Sequence, residues 1–345
     1  MMQDIWDYLE KADKPILMYG MGNGADKILR ALDARGVVVS DFFASDGFVR
    51  GHLFHGKRVL SYSQAKEKYG SFIVLLSFAT CLDDVIVNII RIAGEQELYI
   101  PDVPVAGGEL FTRSFYLENK EKFDIARSLL SDELSRDVFD KVVEYKLSGR
   151  IEPLLESECE REEVFSSVLS PKKYKTACDL GAYNGDTAKE LISYSPDIER
   201  IYALEPDRRN YRKLCEYAKG EDRVIPYNAA AWSSDTSLCF SEEGNRNSGV
   251  KENGVKTVDA LCLDRLVREK VDYIKMDVEG SEREALIGAK EIIRRDKPQM
   301  LVSAYHRSED IFSLILQIHE LNPEYKFYLR RFRYFPAWDL NLYCI

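Results

Sequence analysis

The sequence predicts an α/β protein with two parallel, doubly wound sheets in succession. Three observations carry that expectation. Strand-like apolar runs alternate with helical patterns from Pro15 to Leu76 and again from Tyr174 to about Pro323, as in strands joined by crossover helices. Each stretch opens with a strand that runs into a glycine-rich turn and then a helix. Between them, charged and spaced apolar residues recur at helical period without a strand signal. The expected division is a smaller α/β unit over 1–109, a helical connector over 110–171 and a second α/β domain over 172–345.

Size and charge bound the function. A chain of 345 residues, 45% apolar, buries a sizeable core and accommodates two domains. A net charge of −10 leaves no global field to attract DNA or RNA. The start, MMQDIWDYLEKADKP, lacks the basic and apolar segments of a leader. The longest plainly apolar run, Phe72 to Ala79, is too short for a bilayer. Seven scattered cysteines without framework spacing fit reduced thiols in a cytoplasmic setting. With four histidines, a Cys/His zinc site is not expected.

In chain order, Pro15 to Tyr19 reads as the first strand, followed by Gly20, Gly22 and Gly24 and a helix over Ala25 to Ala34. Val37-Val38-Val39 reads as the second strand, reaching toward Asp46, and Phe72 to Leu76 as another. In the connector, Ser131-Asp132-Glu133 starts a helix, while Gly149 and Pro153 interrupt it. In the second domain, Ala285, Leu286, Ala289, Ile292 and Ile293 form one apolar stripe, and Ile311, Leu314, Ile315 and Ile318 another. Tyr325 to Phe335 and Leu340 to Ile345 read as two strands with no helix between, a hairpin closing the sheet.

Three motifs carry chemistry. Asp179-Leu180-Gly181-Ala182-Tyr183-Asn184-Gly185-Asp186-Thr187 follows a strand and opens a helix. Its glycines let backbone approach a ligand, and the helix start offers N–H groups to a carboxylate or phosphate. An acid before the first glycine suits a cationic amine and repels a pyrophosphate. Next, Ile201 to Leu204 ends in Glu205-Pro206, placed where Rossmann-type sheets hold a ribose diol. Last, Ile274-Lys275-Met276-Asp277-Val278-Glu279-Gly280 delivers Asp277 and Glu279 to the carboxyl edge of the sheet. Glu282, just beyond, reads as a helix cap.

Together these motifs resemble the FkbM-family methyltransferases, with Asn228-Ala229-Ala230, Asn247-Ser248 and Val258 to Asp264 in support. The resemblance covers about Tyr174 to Ile345. It implies a class I methyltransferase fold, with a mostly parallel seven-stranded sheet and an antiparallel last strand. It also implies S-adenosyl-L-methionine as cofactor and methyl transfer to a hydroxyl of a sugar, glycan or other small molecule. By position, Gly181 to Asp186 would hold the methionine part, Glu205 the ribose, and Asn228 and Ala229 the adenine. Asp277 would lie near the methyl group. The first unit looks like the Rossmann-like domains sometimes joined to this family.

The remaining candidates are weaker. Gly20 to Gly24 departs from GxGxxG, so bound NAD with Asp46 on its ribose is not favoured. His306 ends the strand Met300 to Tyr305 at the same edge as Asp277 and is a candidate general base. Arg330, Arg331 and Arg333, set among aromatic residues, read first as a solvated strand face and second as an anion-binding stripe. Asp277, Glu279 and Asp264 are carboxylates that could gather a magnesium ion, but their spacing does not decide it and no metal is assigned. The rivals to a methyltransferase are a nicotinamide-dependent oxidoreductase and a non-catalytic nucleotide-binding module.

Overall fold

The computed structural model describes residues 3–241, 249–250 and 256–345. Asn247 and Ser248 lie outside the described residues. The first half builds a five-stranded parallel sheet from β1 (Ile16–Tyr19), β2 (Asp41–Ala44), β3 (Leu60–Ser61), β4 (Ile73–Leu76) and β5 (Glu97–Tyr99), in the order β3-β2-β1-β4-β5. All four residues of β1, β2 and β4 are buried, as a sheet covered by helices on both faces requires. The second strand lies downstream of the valine run. Val38 is 77% exposed, and Val37 and Val39 are buried in an irregular lead-in whose last carbonyls accept from Lys57 Nζ. Asp41 opens the strand although it is charged, because Tyr69 and Lys68 donate to its carboxylate at 2.6 and 2.7 Å.

The intervening stretch is helical: Arg113–Glu118, Lys120–Leu129, α1 (Glu133–Ser148) and Glu152–Glu156. Asp132 caps α1 by accepting from Ser135 N, and Gly149 ends it in the left-handed conformation. Helix α1 packs on the tail hairpin rather than standing apart.

The second half forms a seven-stranded sheet: β6 (Thr176–Leu180), β7 (Arg200–Leu204), β8 (Val224–Tyr227), β9 (Tyr273–Met276), β10 (Gln299–Ser303), β11 (Phe327–Arg331) and β12 (Leu340–Cys344). Their order is β8-β7-β6-β9-β10-β12-β11, and β12 runs antiparallel between its neighbours. The tail is thus the hairpin read from sequence, with β12 inserted beside β10. A smaller sheet of Ala229–Ala231, Thr236–Ser241, Gly249–Val250 and Lys256–Leu261 hangs from the end of β8. The first apolar stripe is buried as expected but breaks at Ala289 into two short helices, Glu282–Gly288 and Lys290–Asp296.

Arg330 and Arg331 are not on a solvated face, whereas Arg333 is partly exposed and lies 3.4 Å from Asp83. Arg330 and Arg331 are 1% and 0% exposed. Arg330 pairs with Asp132 and Glu163 and donates to Ser135 Oγ. Arg331 donates to Ser157 Oγ and to the carbonyls of Leu154, Phe332 and Tyr334, and burial pulls its pKa down to about 10. Both guanidiniums therefore tie β11 to the connector.

The halves share one core. A single hydrophobic cluster runs from Leu17, Phe43 and Leu76 through Phe111, Phe123 and Val142 to Met276, Phe312 and Leu342. Backbone bonds cross the boundary as well: Thr80 and Phe335 exchange N–H···O bonds of 2.7 and 2.8 Å. Lys146 and Asp102 make a buried ion pair of 2.9 Å.

Candidate active site

The turn after β6 is held by backbone rather than by chance packing. The N–H groups of Gly181 and Ala182 both donate to Leu204 O at 2.9 Å, so the turn folds against the end of β7. Gly181 has φ +82°, and a Cβ there would lie 1.8 Å from Asp277 O. That close approach joins the turn to the end of β9 and admits glycine alone. Tyr183, with φ +48°, donates its N–H to Glu205 Oε2 at 2.8 Å. Gly185, at φ +90°, precedes α2 (Asp186–Tyr194).

Asp179, buried at the end of β6, accepts from Thr187 Oγ1 at 2.5 Å and lies 3.2 Å from Lys275 Nζ. Lys275 also donates to Gly181 O at 2.6 Å. Burial works against its charge, but the carboxylates of Asp179 and Asp277 prevail and raise its pKa. Asp179 Oδ1 has no hydrogen-bond partner among the described residues. Asp179, Thr187, Lys275 and Asp277, with Arg161 and Asp339, line a cavity of about 80 Å³.

Glu205 sits just past β7, 6% exposed. Its two oxygens accept from Tyr183 N and Asp207 N, both at 2.8 Å. Burial outweighs those bonds and lifts its pKa to about 7. Pro206 follows in the same turn. Asn228 Nδ2 donates to the carbonyls of Glu205 and Pro206 at 2.9 and 3.1 Å, so Asn228 fixes that turn. Ala229 is buried at the start of the smaller sheet.

Strand β9 ends at Met276, and Asp277 N continues its pairing to Leu180 O. Glu279 takes φ +54° and Gly280 φ +92° in the sharp turn before the next helix. Glu282, in the first turn of that helix, accepts from Val278 N in the preceding turn instead of capping the helix, and its Oε1 lies 2.9 Å from His306 Nδ1. The other ring nitrogen, Nε2, is 3.4 Å from Asp277 Oδ1 and 3.6 Å from Glu279 Oε2. The ring is 0% exposed. Burial alone would depress its pKa, but Glu282, Glu279 and Asp277 overcome it and carry it to about 10. Glu279 is pushed up to about 8, chiefly by burial. Tyr305 OH donates to Asp277 Oδ1 at 3.3 Å.

Thus the turn at 179–187, Glu205, Asp277 and His306 meet along one carboxyl edge. Asp264 does not join them, because its carboxylate caps Glu291 and Ile292 N–H groups. In the first half, Asp46 accepts from Ser63 N and Oγ, which occupies the acid expected on a ribose. Lys275, Glu279 and Tyr305 were not assigned roles from sequence. A lysine inside an otherwise apolar strand was the available signal for Lys275. Nothing in the sequence marks Ala106, whose N–H donates to His306 O at 2.9 Å and whose Cβ faces Gly280.

A parallel sheet of this strand order with an antiparallel strand beside its fifth, and a glycine turn at its first, is the class I methyltransferase fold. Residues 179–335 match the model of the methyltransferase FkbM domain. The solved structure of methyltransferase FkbM from Methylobacillus flagellatus is similar over 99% of this chain and 93% of its own, at 20% identity and a TM-score of 0.73. Fibrillarin from Aeropyrum pernix, solved with natively bound S-adenosyl-L-methionine, covers 51% of this chain and 69% of its own, at 19% identity and a TM-score of 0.35. A search of the curated proteins finds no match. No helix among the described residues is long and apolar enough to cross a membrane.

Proposed function

We propose that this chain transfers the methyl group of S-adenosyl-L-methionine to a hydroxyl of a sugar, glycan or other small molecule. The observation that carries the reading is the meeting of the 179–187 turn with the end of β9, where Gly181 leaves no room for a side chain against Asp277 O. The residues suit the cofactor. Asp179, whose Oδ1 lies 3.2 Å from the Lys275 ammonium, lines the cavity beside that turn, where a methionine ammonium would add a second cationic partner. Glu205 keeps lone pairs for the ribose hydroxyls, since each oxygen accepts one N–H. Ala182, Tyr183, Asn184, Gly185, Asp186 and Thr187 would surround the methionine part, with Pro206, Asn228 and Ala229 toward the base.

The bound cofactor supplies an electrophilic methyl on a sulfonium. The protein's part is to hold the acceptor oxygen in line with it, with Asp277 beside the transferred group. His306 is the second catalytic candidate at this edge, held between Glu282 on Nδ1 and Asp277 and Glu279 on Nε2. The reading divides the chain into a Rossmann-like domain over 1–109, a helical connector over 110–171 and the methyltransferase domain over 172–345. With all seven cysteines free, it places the enzyme in a reducing cytoplasm.

Calorimetric titration with S-adenosyl-L-methionine tests it. The cofactor should bind one per chain, and Glu205→Ala should weaken it by roughly 1.5–3 kcal/mol, the worth of a charge-assisted bond. Unchanged affinity in that variant removes Glu205 from the site, and no binding to the parent chain removes the cofactor.

A further inference from the structure

Carboxyl groups crowd His306 from both sides of its ring. Glu282 faces Nδ1, and Asp277 and Glu279 face Nε2. Asp310, 1% exposed, interacts electrostatically with both the ring and Glu282 and has an oxygen without a hydrogen-bond partner. Lys275, the nearest lysine to Asp277 in sequence, is engaged with Asp179 and Gly181 O. Four carboxyl groups around one imidazole make a dense set of oxygen and nitrogen donors at this edge.

The geometry also leaves donors open. One oxygen of Asp277, one of Glu282 and a ring nitrogen of His306 lie within 4.8 Å of one another. His306 Nε2 and Glu282 Oε2 make no hydrogen bond among the described residues, although both are buried, whereas Nδ1 faces Glu282 Oε1 at 2.9 Å. We propose that this edge binds a divalent cation through His306 Nε2 and the carboxylates of Asp277 and Glu279, with Glu282 on Nδ1 as the orienting carboxylate.

Access fixes which nitrogen takes the ion. The Glu282 side chain is 1% exposed, whereas those of Asp277 and Glu279 are 35% and 27% exposed. Only the Nε2 side is therefore reachable from solvent. The separations of 3.4 and 3.6 Å from Nε2 are those of adjacent ligands around an ion with bonds near 2.1–2.5 Å. A carboxylate behind the second ring nitrogen is the usual support of a ligating histidine. Two carboxylates and one imidazole, with positions left open, suit a first-row ion such as Mn²⁺. An ion at Nε2 takes the place of the ring proton.

Its chemical consequence rests on the hydroxyl-methylation reading. An acceptor hydroxyl bound at an open position loses its proton to solvent more readily. Its oxygen then forms the C–O bond as the S–CH3 bond breaks, leaving S-adenosylhomocysteine.

Ion binding itself is tested without cofactor or acceptor. Chelator-stripped protein is titrated with Mn²⁺ and the free ion is followed by electron paramagnetic resonance. The full chain should take up one ion. Asp277→Asn and Glu279→Gln should weaken uptake by at least about 100-fold, and Glu282→Gln by roughly 10–100-fold. Cooperative thermal unfolding of each variant separates a lost ligand from a lost fold. Absence of stoichiometric Mn²⁺ or Zn²⁺ uptake by the parent chain overturns the proposal, as does uptake that Asp277→Asn and Glu279→Gln leave unchanged in folded protein. Because no methyl transfer is measured, failure of the ion site and failure of the cofactor reading are distinguishable.

Discussion

Glu205 concentrates the site's physics in one carboxylate. Burial lifts its folded pKa from 4.5 to about 7, so protonation favours the fold. The stability this group contributes is complete below pH 4.5 and is lost as pH rises through 7. Glu205→Gln, always neutral, should lack that loss. Urea midpoints measured from pH 4.5 to 8 should show the parent chain falling relative to the variant, and parallel curves would refute the shift. Cofactor binding should run the opposite way and tighten between pH 6 and 8, because the ionised carboxylate is the better acceptor for two hydroxyls. At this scale the sequence read well where a role depends on position along a strand. Glu205 and Asp277 stand at strand ends as expected, and Asp179 lies in the turn. It read poorly where a role depends on neighbours distant in the chain. The carboxyls around His306 were not legible, because Glu279 and Glu282 are 27 and 24 residues away and only the fold brings them onto its ring.

Among the elements, the turn after β6 is the one most exposed to a small change. Gly181→Ala places a methyl group against Asp277 O and asks for a left-handed backbone, a strain of roughly 1–3 kcal/mol before any displacement of β9. Thermal denaturation should show that loss, and cofactor affinity should fall with it. An alanine variant that melts and binds like its parent would mean the turn and β9 are not locked together. Element existence was legible because period and punctuation are local. The tail hairpin, the capped start of α1 at Asp132 and the apolar helix near Ile311 all follow from neighbouring residues. The second strand was misplaced because Val37 to Val39 satisfy strand propensity equally well. Asp41 becomes strand only once Tyr69 and Lys68, more than 25 residues on, satisfy its carboxylate. Tertiary partners override propensity there.

Across the whole molecule, the second α/β half leans on the helical connector. Arg330 and Arg331 are buried against partners at Asp132, Ser135, Leu154, Ser157 and Glu163. A fragment over 172–345 loses all of these and uncovers the apolar residues of β11. Losing the ion pairs of Arg330 and the apolar cover of β11 removes burial that a marginally stable domain depends on. The fragment should aggregate or unfold without cooperativity, judged by calorimetry and size-exclusion chromatography. A sharp, reversible transition near that of the full chain would show that the connector is dispensable. The sequence displayed two α/β stretches and a helical stretch, but not this dependence, because an arginine among aromatic residues is as compatible with a wet face as with a buried one.

The short contact between Ala106 and the His306 backbone has a further bearing, on inheritance. Lys27, on the helix after the first glycine turn, donates to the carbonyls of Pro104 and Val105. Ala106 then bonds His306 O, and Ser308 Oγ donates to Glu109 O. A recombination joining this second half to another protein's first half would carry over the cofactor turn whole. It would leave the wall at Gly280 and His306 without its neighbour, so the two halves can diverge only as a matched pair.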